Sequence, residues 1–162
     1  KPMGNGIPVS GLAARHEVLE AFSDKLPYFN TFGGNPVAMA AAEAVLKVIE
    51  EEHIQQHAKE VGAELLKALK EVQARHADCV GDVRGAGLFL GFELVSDIEK
   101  KTPDQKMALD LIELLRDNQV LTSCCGPFGN VLKIRPTLAF ASCDIDWVAS
   151  ALDKCLTQLE NA

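Results

Sequence analysis

The apolar residues of this chain change their spacing near residue 76, and that change limits the folds open to it. From Ile54 the series Ile54, Ala58, Val61, Leu65, Ala68 and Val72 alternates steps of four and three, which predicts a long amphipathic helix over about 53–76. Beyond it, CVGDVRG and AGLFLGFELV read as β-like runs. They predict two strands joined tightly around Arg84–Gly85–Ala86–Gly87. In TPDQ, Thr102 suits an N-cap, Pro103 the first helical position and Gln105 a capping box, so a helix is expected from there to about Asn118. VLTS and VLKIRP predict two more short strands around the CCGPFGN turn. Asp144 is placed to cap a last helix with the stripe Ile145, Val148, Leu152, Cys155 or Leu156, and Leu159. The order β-β-α-β-β-α describes a compact α+β unit.

The front of the chain does not fit that unit. VSGLAAR at 9–15 reads as a short strand or its exit, and HEVLEAFSDKL as a short helix closed before Pro27. YFNTFGGNP at 28–36 is a polar, aromatic, glycine-paired loop. The helix PVAMAAAEAVLKVIEEE begins behind it with Pro36 in the first turn, where its missing N–H costs nothing. The front half of that helix is apolar almost all round, which predicts burial. The expected organisation is therefore 1–52 as the end of one domain, 53–76 as a bridging helix and 77–162 as a second domain.

Composition removes several function classes. The 162 residues are 48% hydrophobic and 24% charged, with a net charge of −7. This is a globular profile, and its acidity argues against nucleic-acid or anionic-membrane partners. No apolar run is long enough to suggest a membrane span. The five cysteines lack disulfide-framework or metal-ligand spacing, so free thiols in a reducing, cytoplasmic setting are expected. His53 and His57 stand four apart on a helix but lack a glutamate between them and a third ligand, so no metal site is expected.

Three stretches can carry chemistry. In KPMGNGIPV, Pro2 and Pro8 stiffen the segment around Lys1, while Gly4 and Gly6 allow close backbone approach; a lysine so fixed can attack a carbonyl, or it can be an ordinary loop lysine. In NTFGGNP, a hydroxyl and consecutive glycine amides precede a helix. That arrangement suits a phosphate, and it equally suits a plain capped loop-to-helix junction. In VLKIRPTL, strand alternation puts Lys133 and Arg135 on one face, where they await either an anion or solvent.

KPMGNGIPV, YFNTFGGNPVAMAAAEAVLKVIEEE, GDVRGAGLFLGFELV and VLKIRPTL, in that order and spacing, resemble class III pyridoxal-phosphate aminotransferases. GPFGNVLKIRP and NTFGGNP are most similar to the alanine–glyoxylate aminotransferase 2-like branch, which also contains amino-phosphate phospholyases. The resemblance implies an α/β protein of the pyridoxal-phosphate transferase fold type I. This chain would be the end of the large domain plus the α+β C-terminal small domain. It further implies pyridoxal 5′-phosphate as cofactor, Lys1 as the catalytic Schiff-base lysine, and a homodimer with shared sites. Thr31 would bind the cofactor phosphate from the neighbouring subunit, with Asn30 contributing through its backbone.

Lys133 and Arg135 are the substrate-binding candidates, with amine and keto-acid substrates implied. Lys133 occupies a position where the family often carries an arginine, and lysine cannot make arginine's planar two-point clamp. That departure is shared with phospholyases. Amino transfer is thus the first expectation and phosphate elimination the alternative; a C-terminal module that only dimerises is the alternative from another class. The resemblance also implies a long part ahead of Lys1 that supplies the pyridine-nitrogen aspartate, a ring-stacking aromatic and a phosphate loop. The 162 residues alone are not expected to transaminate.

Overall fold

The computed structural model describes residues 2–161, so Lys1 lies outside the described residues. The chain divides into two compact units, residues 1–54 and 55–162. Among the described residues no helix is long and apolar enough to cross a membrane.

The first unit opens with a single 3-10 turn at Pro2–Gly4, followed by helices α1 (His16–Ser23) and α2 (Pro36–Glu51). The strand expected at 9–15 does not form, because no extended neighbour pairs with it among the described residues. Helix α2 starts where Pro36 predicts, with Asn35 as its N-cap. Its expected burial is not met: only Ala38 is buried, while Val37, Met39, Leu46 and Val48 are exposed. Cover of this helix is partial: Ala41, Ala42, Val45 and Ile49 are half-buried, and it packs against the opening 3-10 turn.

The second unit is α+β. Its helices are α3 (Ile54–Arg75), α4 (Gln105–Asp117) and α5 (Ser142–Glu160). Its strands are β1 (Val80–Ala86), β2 (Phe89–Asp97), β3 (Thr102–Pro103), β4 (Cys124–Cys125) and β5 (Val131–Ile134). The sheet runs β1-β2-β5-β4, all antiparallel, with β3 on the other part of β2. Alternation along β2 sends Leu90, Phe92 and Leu94 to the helix side, each at most 2% exposed. There they meet Leu65, Leu69 and Val72 of α3, Leu111 and Leu115 of α4, and Leu152 and Leu156 of α5 in one core. A register shift between Val80 and Asp82 lets Val80 and Val83, three residues apart, both face that core.

Two glycines bring the layers together. Ala86 pairs with Phe89, leaving Gly87–Leu88 as the turn between β1 and β2, and Gly87 takes a φ of +54°. Gly62 of α3 passes so close to this turn that a Cβ there would meet the Gly87 carbonyl oxygen at 2.2 Å.

The expected start of α4 is displaced by two residues. Thr102–Pro103 pairs with β2 as a short strand, Val95 opposite Pro103, and Asp104 caps the helix by accepting the Met107 N–H at 2.8 Å. Asp144 is not the N-cap of α5. It lies at the third helical position, where its carboxylate accepts the N–H of Ala141 at 2.9 Å. The strand expected at VLTS forms later and shorter, as Cys124–Cys125.

Candidate functional site

In the first unit the candidate residues sit in the loop ahead of α2. Asn30 builds that loop: its side-chain carbonyl accepts the N–H groups of Phe32 at 3.2 Å and Gly33 at 3.0 Å, and its amide donates to the Tyr28 hydroxyl at 3.2 Å. Asn35 donates to the Phe32 carbonyl and accepts the Ala38 N–H, both at 2.9 Å. The N–H groups of Gly33 and of the first helical turn that could meet an anion are thus partly used by the protein itself. What remains is Thr31, exposed, its hydroxyl unengaged by any described residue. A single free hydroxyl on a loop pinned at both ends fits a donor to a phosphate oxygen.

In the second unit the pleat decides which groups share a face. Leu90, Phe92, Leu132 and Ile134 point to the helices. Their neighbours Phe89, Gly91, Glu93, Lys133 and Arg135 therefore belong to the outward face. Across the strands, Arg84 of β1 is opposite Gly91 of β2, and Gly91 is opposite Lys133 of β5. The row nearest the β1–β2 turn holds Ala86, Phe89 and then Arg135, just past the last paired residue of β5. The Arg135 guanidinium carbon lies 6.0 Å from the centre of the Phe89 ring.

Charge on this face is unevenly answered. Arg84 is bound by both Asp82, at 2.7 Å, and Glu93. These hydrogen bonds, Glu93's the larger and Asp82's next, push its already high pKa further up. Lys133 is half-buried and Arg135 exposed, and neither meets a carboxylate among the described residues. A cavity of about 340 Å³ borders both residues, but its walls include Leu65, Leu132, Ile134, Phe140 and Leu152. Those apolar walls belong to the helix side of the sheet. The outward face is where the two cations can act.

The structure therefore brings Lys133 and Arg135 together, and it places Asn30 and Thr31 in one loop of the other unit. Sequence reading missed Phe89 and the Arg84–Glu93 pair. Asp82 and Arg84, two apart on a strand, were a usable signal; the partnership with Glu93 needs the hairpin register. His57, weighed as a metal ligand, has its Nε2 2.9 Å from the Phe140 carbonyl oxygen. Among the described residues no group of three or more His, Cys, Asp or Glu side chains is arranged to hold a metal. All five cysteines are free thiols.

Comparison with known proteins adds ancestry to this geometry. The family model described as aminotransferase class-III matches residues 1–156. The chain is 46% identical over 158 residues to ethanolamine-phosphate phospho-lyase homolog 1 of Caenorhabditis elegans, covering 97% of this chain and 34% of that protein. It is 43% identical over 159 residues to an alanine–glyoxylate aminotransferase 2-like protein of Drosophila melanogaster, covering 97% and 32%. Among solved structures it is similar to an Arthrobacter phospholyase in complex with phosphoethanolamine, with a TM-score of 0.87 and 37% identity over 96% of this chain and 36% of that one. The chain spans about a third of the length of each of these proteins.

Proposed function

Because this chain belongs to the class-III aminotransferase family of pyridoxal-phosphate enzymes, we propose that it is the C-terminal portion of a phospholyase that eliminates phosphate from a small phosphorylated amine. Its architecture is that of the C-terminal portion of fold type I. The observation that carries the reading is the contrast on the outward sheet face: Arg84 is answered by two carboxylates, while Lys133 and Arg135, side by side, are answered by none among the described residues. A phosphate monoester bears close to two negative charges near neutral pH, which a lysine ammonium and an arginine fork about 7 Å apart along a strand can share. A lone carboxylate needs only one arginine fork, whereas here Lys133 adds a second positive charge beside the fork of Arg135. The likeness to a phospholyase bound to phosphoethanolamine supports the same substrate class.

The roles follow from the residues. When bound, pyridoxal phosphate supplies an electron sink for the carbon that bears the amine. Lys1, matched to the family's cofactor-bearing lysine, would hold the cofactor and take the proton from that carbon. Thr31 would donate its hydroxyl to the cofactor phosphate of a neighbouring subunit in a homodimer, with Asn30 shaping the loop. Lys133 and Arg135 would hold the substrate phosphate and offset the charge that grows on it as its C–O bond breaks. The electron pair left by the proton forms the new C=C bond. Water then releases the skeleton as a carbonyl compound, with ammonia and inorganic phosphate as the other products.

Amino transfer to a keto acid is the second reading, favoured by the likeness to the alanine–glyoxylate aminotransferase 2-like protein. The full-length enzyme, loaded with cofactor, separates the two. Release of phosphate from phosphoethanolamine with no keto acid present is the expected result, lost in Lys1→Ala and weakened at least tenfold in Lys133→Ala. An absolute keto-acid requirement with no phosphate release would replace elimination by amino transfer. Failure of the full-length protein to bind pyridoxal phosphate would leave a non-catalytic dimerisation module.

A further inference from the structure

We propose that Phe89 is a positioning residue: its ring holds the Arg135 guanidinium over the outward sheet face beside Lys133, so that both cations are set for one anion before it arrives. That the anion is a substrate phosphate rests on the elimination reading above. That Phe89 acts through Arg135 rests on geometry alone.

Phe89 is 59% exposed, although its neighbours Leu88 and Leu90 are buried at 7% and 2%. Its outward direction is imposed by the strand, so the ring contributes nothing to the core and leaves a large apolar surface in water. On the β1 side its cross-strand neighbour is Ala86, a single methyl group. On the β5 side it is Arg135, whose guanidinium carbon lies 6.0 Å from the ring centre, within reach of a cation–π contact.

Arg135 depends on such a contact. The ladder between β2 and β5 ends at the Leu90–Ile134 pair, one residue before it. Pro136 keeps the Arg135 backbone extended but does nothing for its long side chain. No carboxylate among the described residues holds the guanidinium. An arginine left loose would lose its rotamer freedom only when the anion bound, and affinity would fall accordingly. Stacked on Phe89, it is ordered beforehand.

The test uses the full-length holoenzyme and two readouts: KM and kcat for phosphoethanolamine, and the dissociation constant of inorganic phosphate by calorimetry. Phe89→Leu is expected to raise KM and the phosphate dissociation constant about three- to fivefold, the range of an exposed cation–π contact, with kcat unchanged. Phe89→Tyr, which keeps the ring face, is expected to match the parent. Arg135→Gln should weaken binding more, and Phe89→Leu combined with Arg135→Gln should be no worse than Arg135→Gln alone. Losses that add in the double variant, no loss in Phe89→Leu, or a parent that binds no phosphate would each overturn the inference. A melting temperature held within a degree or two shows that Phe89→Leu folds; a large drop, shared by Phe89→Tyr, makes the ring structural and also overturns it. If the calorimetric pattern holds but phosphoethanolamine releases no phosphate, the elimination reading fails and the positioning role stands. If phosphate is released and Phe89→Leu binds it normally, only the positioning role fails.

Discussion

His76 Nδ1 lies 2.9 Å from Glu160 Oε2, joining the residue after α3 to the last residue of α5. The imidazole is 4% exposed, and its Nε2 faces Asp153 Oδ1 at 3.1 Å, two turns earlier on the same helix. One buried ring thus ties down the final two turns of the chain's last helix. His76→Ala would remove both contacts and leave two carboxylates facing a void. The expected loss is about 2 kcal/mol, the scale of a hydrogen bond to a charged group, read as a lower urea midpoint at unchanged slope.

Acidification should reach the same cluster through Asp153. The hydrogen bond from Arg75, at 2.6 Å, and then that from His76 hold the Asp153 carboxyl below the usual aspartate range. A carboxyl depressed by folding contributes stability that is present above its unfolded pKa of about 3.9 and is lost as pH falls through the folded value. Thermal melting followed from pH 6 to pH 3 should therefore drop most steeply below pH 4. Asp153→Asn should start lower and fall less across that window.

The five thiols should react in two groups. Burial first, and then the hydrogen bond to Glu160, push the Cys79 thiol up to about 12. Burial also raises Cys155 and Cys124. Only the thiolate attacks an alkylating agent. With iodoacetamide at pH 8, mass spectrometry should find the exposed Cys125 and Cys143 labelled first, with Cys79 and Cys155 unlabelled until denaturant is added.

Gly62→Ala tests the seam between α3 and the β1–β2 turn. The added methyl would sit 2.2 Å from the Gly87 carbonyl oxygen, backbone that cannot rotate aside. A loss of about 3 kcal/mol is expected despite alanine's better helix propensity, which alone would stabilise by about 1 kcal/mol. An unchanged melting temperature would show that the helix can slide away from the turn.

Much of this fold was legible because its period changes are clean. The stripe of α3 was read nearly whole; Leu69, fully buried, was passed over for its neighbour Ala68 because steps of four and three allow either. Thr102 and Pro103 misled because a Thr-Pro pair suits a helix start, whereas here pairing with β2 claims both residues and leaves the cap to Asp104. The burial foreseen for α2 is incomplete because an apolar helix states a need for cover without saying what meets it. At the site, Lys133 and Arg135 were readable as neighbours by alternation alone. Phe89 and Glu93 were not, since which residue stands opposite which is settled by the β1–β2 turn for Glu93 and by the pairing of β2 with β5 for Phe89.

Arg84 of β1, paired with two acids, stands two strands over from Arg135 at the end of β5. Counting the groups at the β1 end of the face, Asp82, Arg84 and Glu93 sum to one negative charge, while Lys133 and Arg135 at β5 sum to two positive ones. The face is a lateral gradient of potential, and on a chain of net charge −7 it is a local exception. An anion crossing it is pushed from β1 toward β5, so capture should be directional and should weaken as salt shortens the screening length.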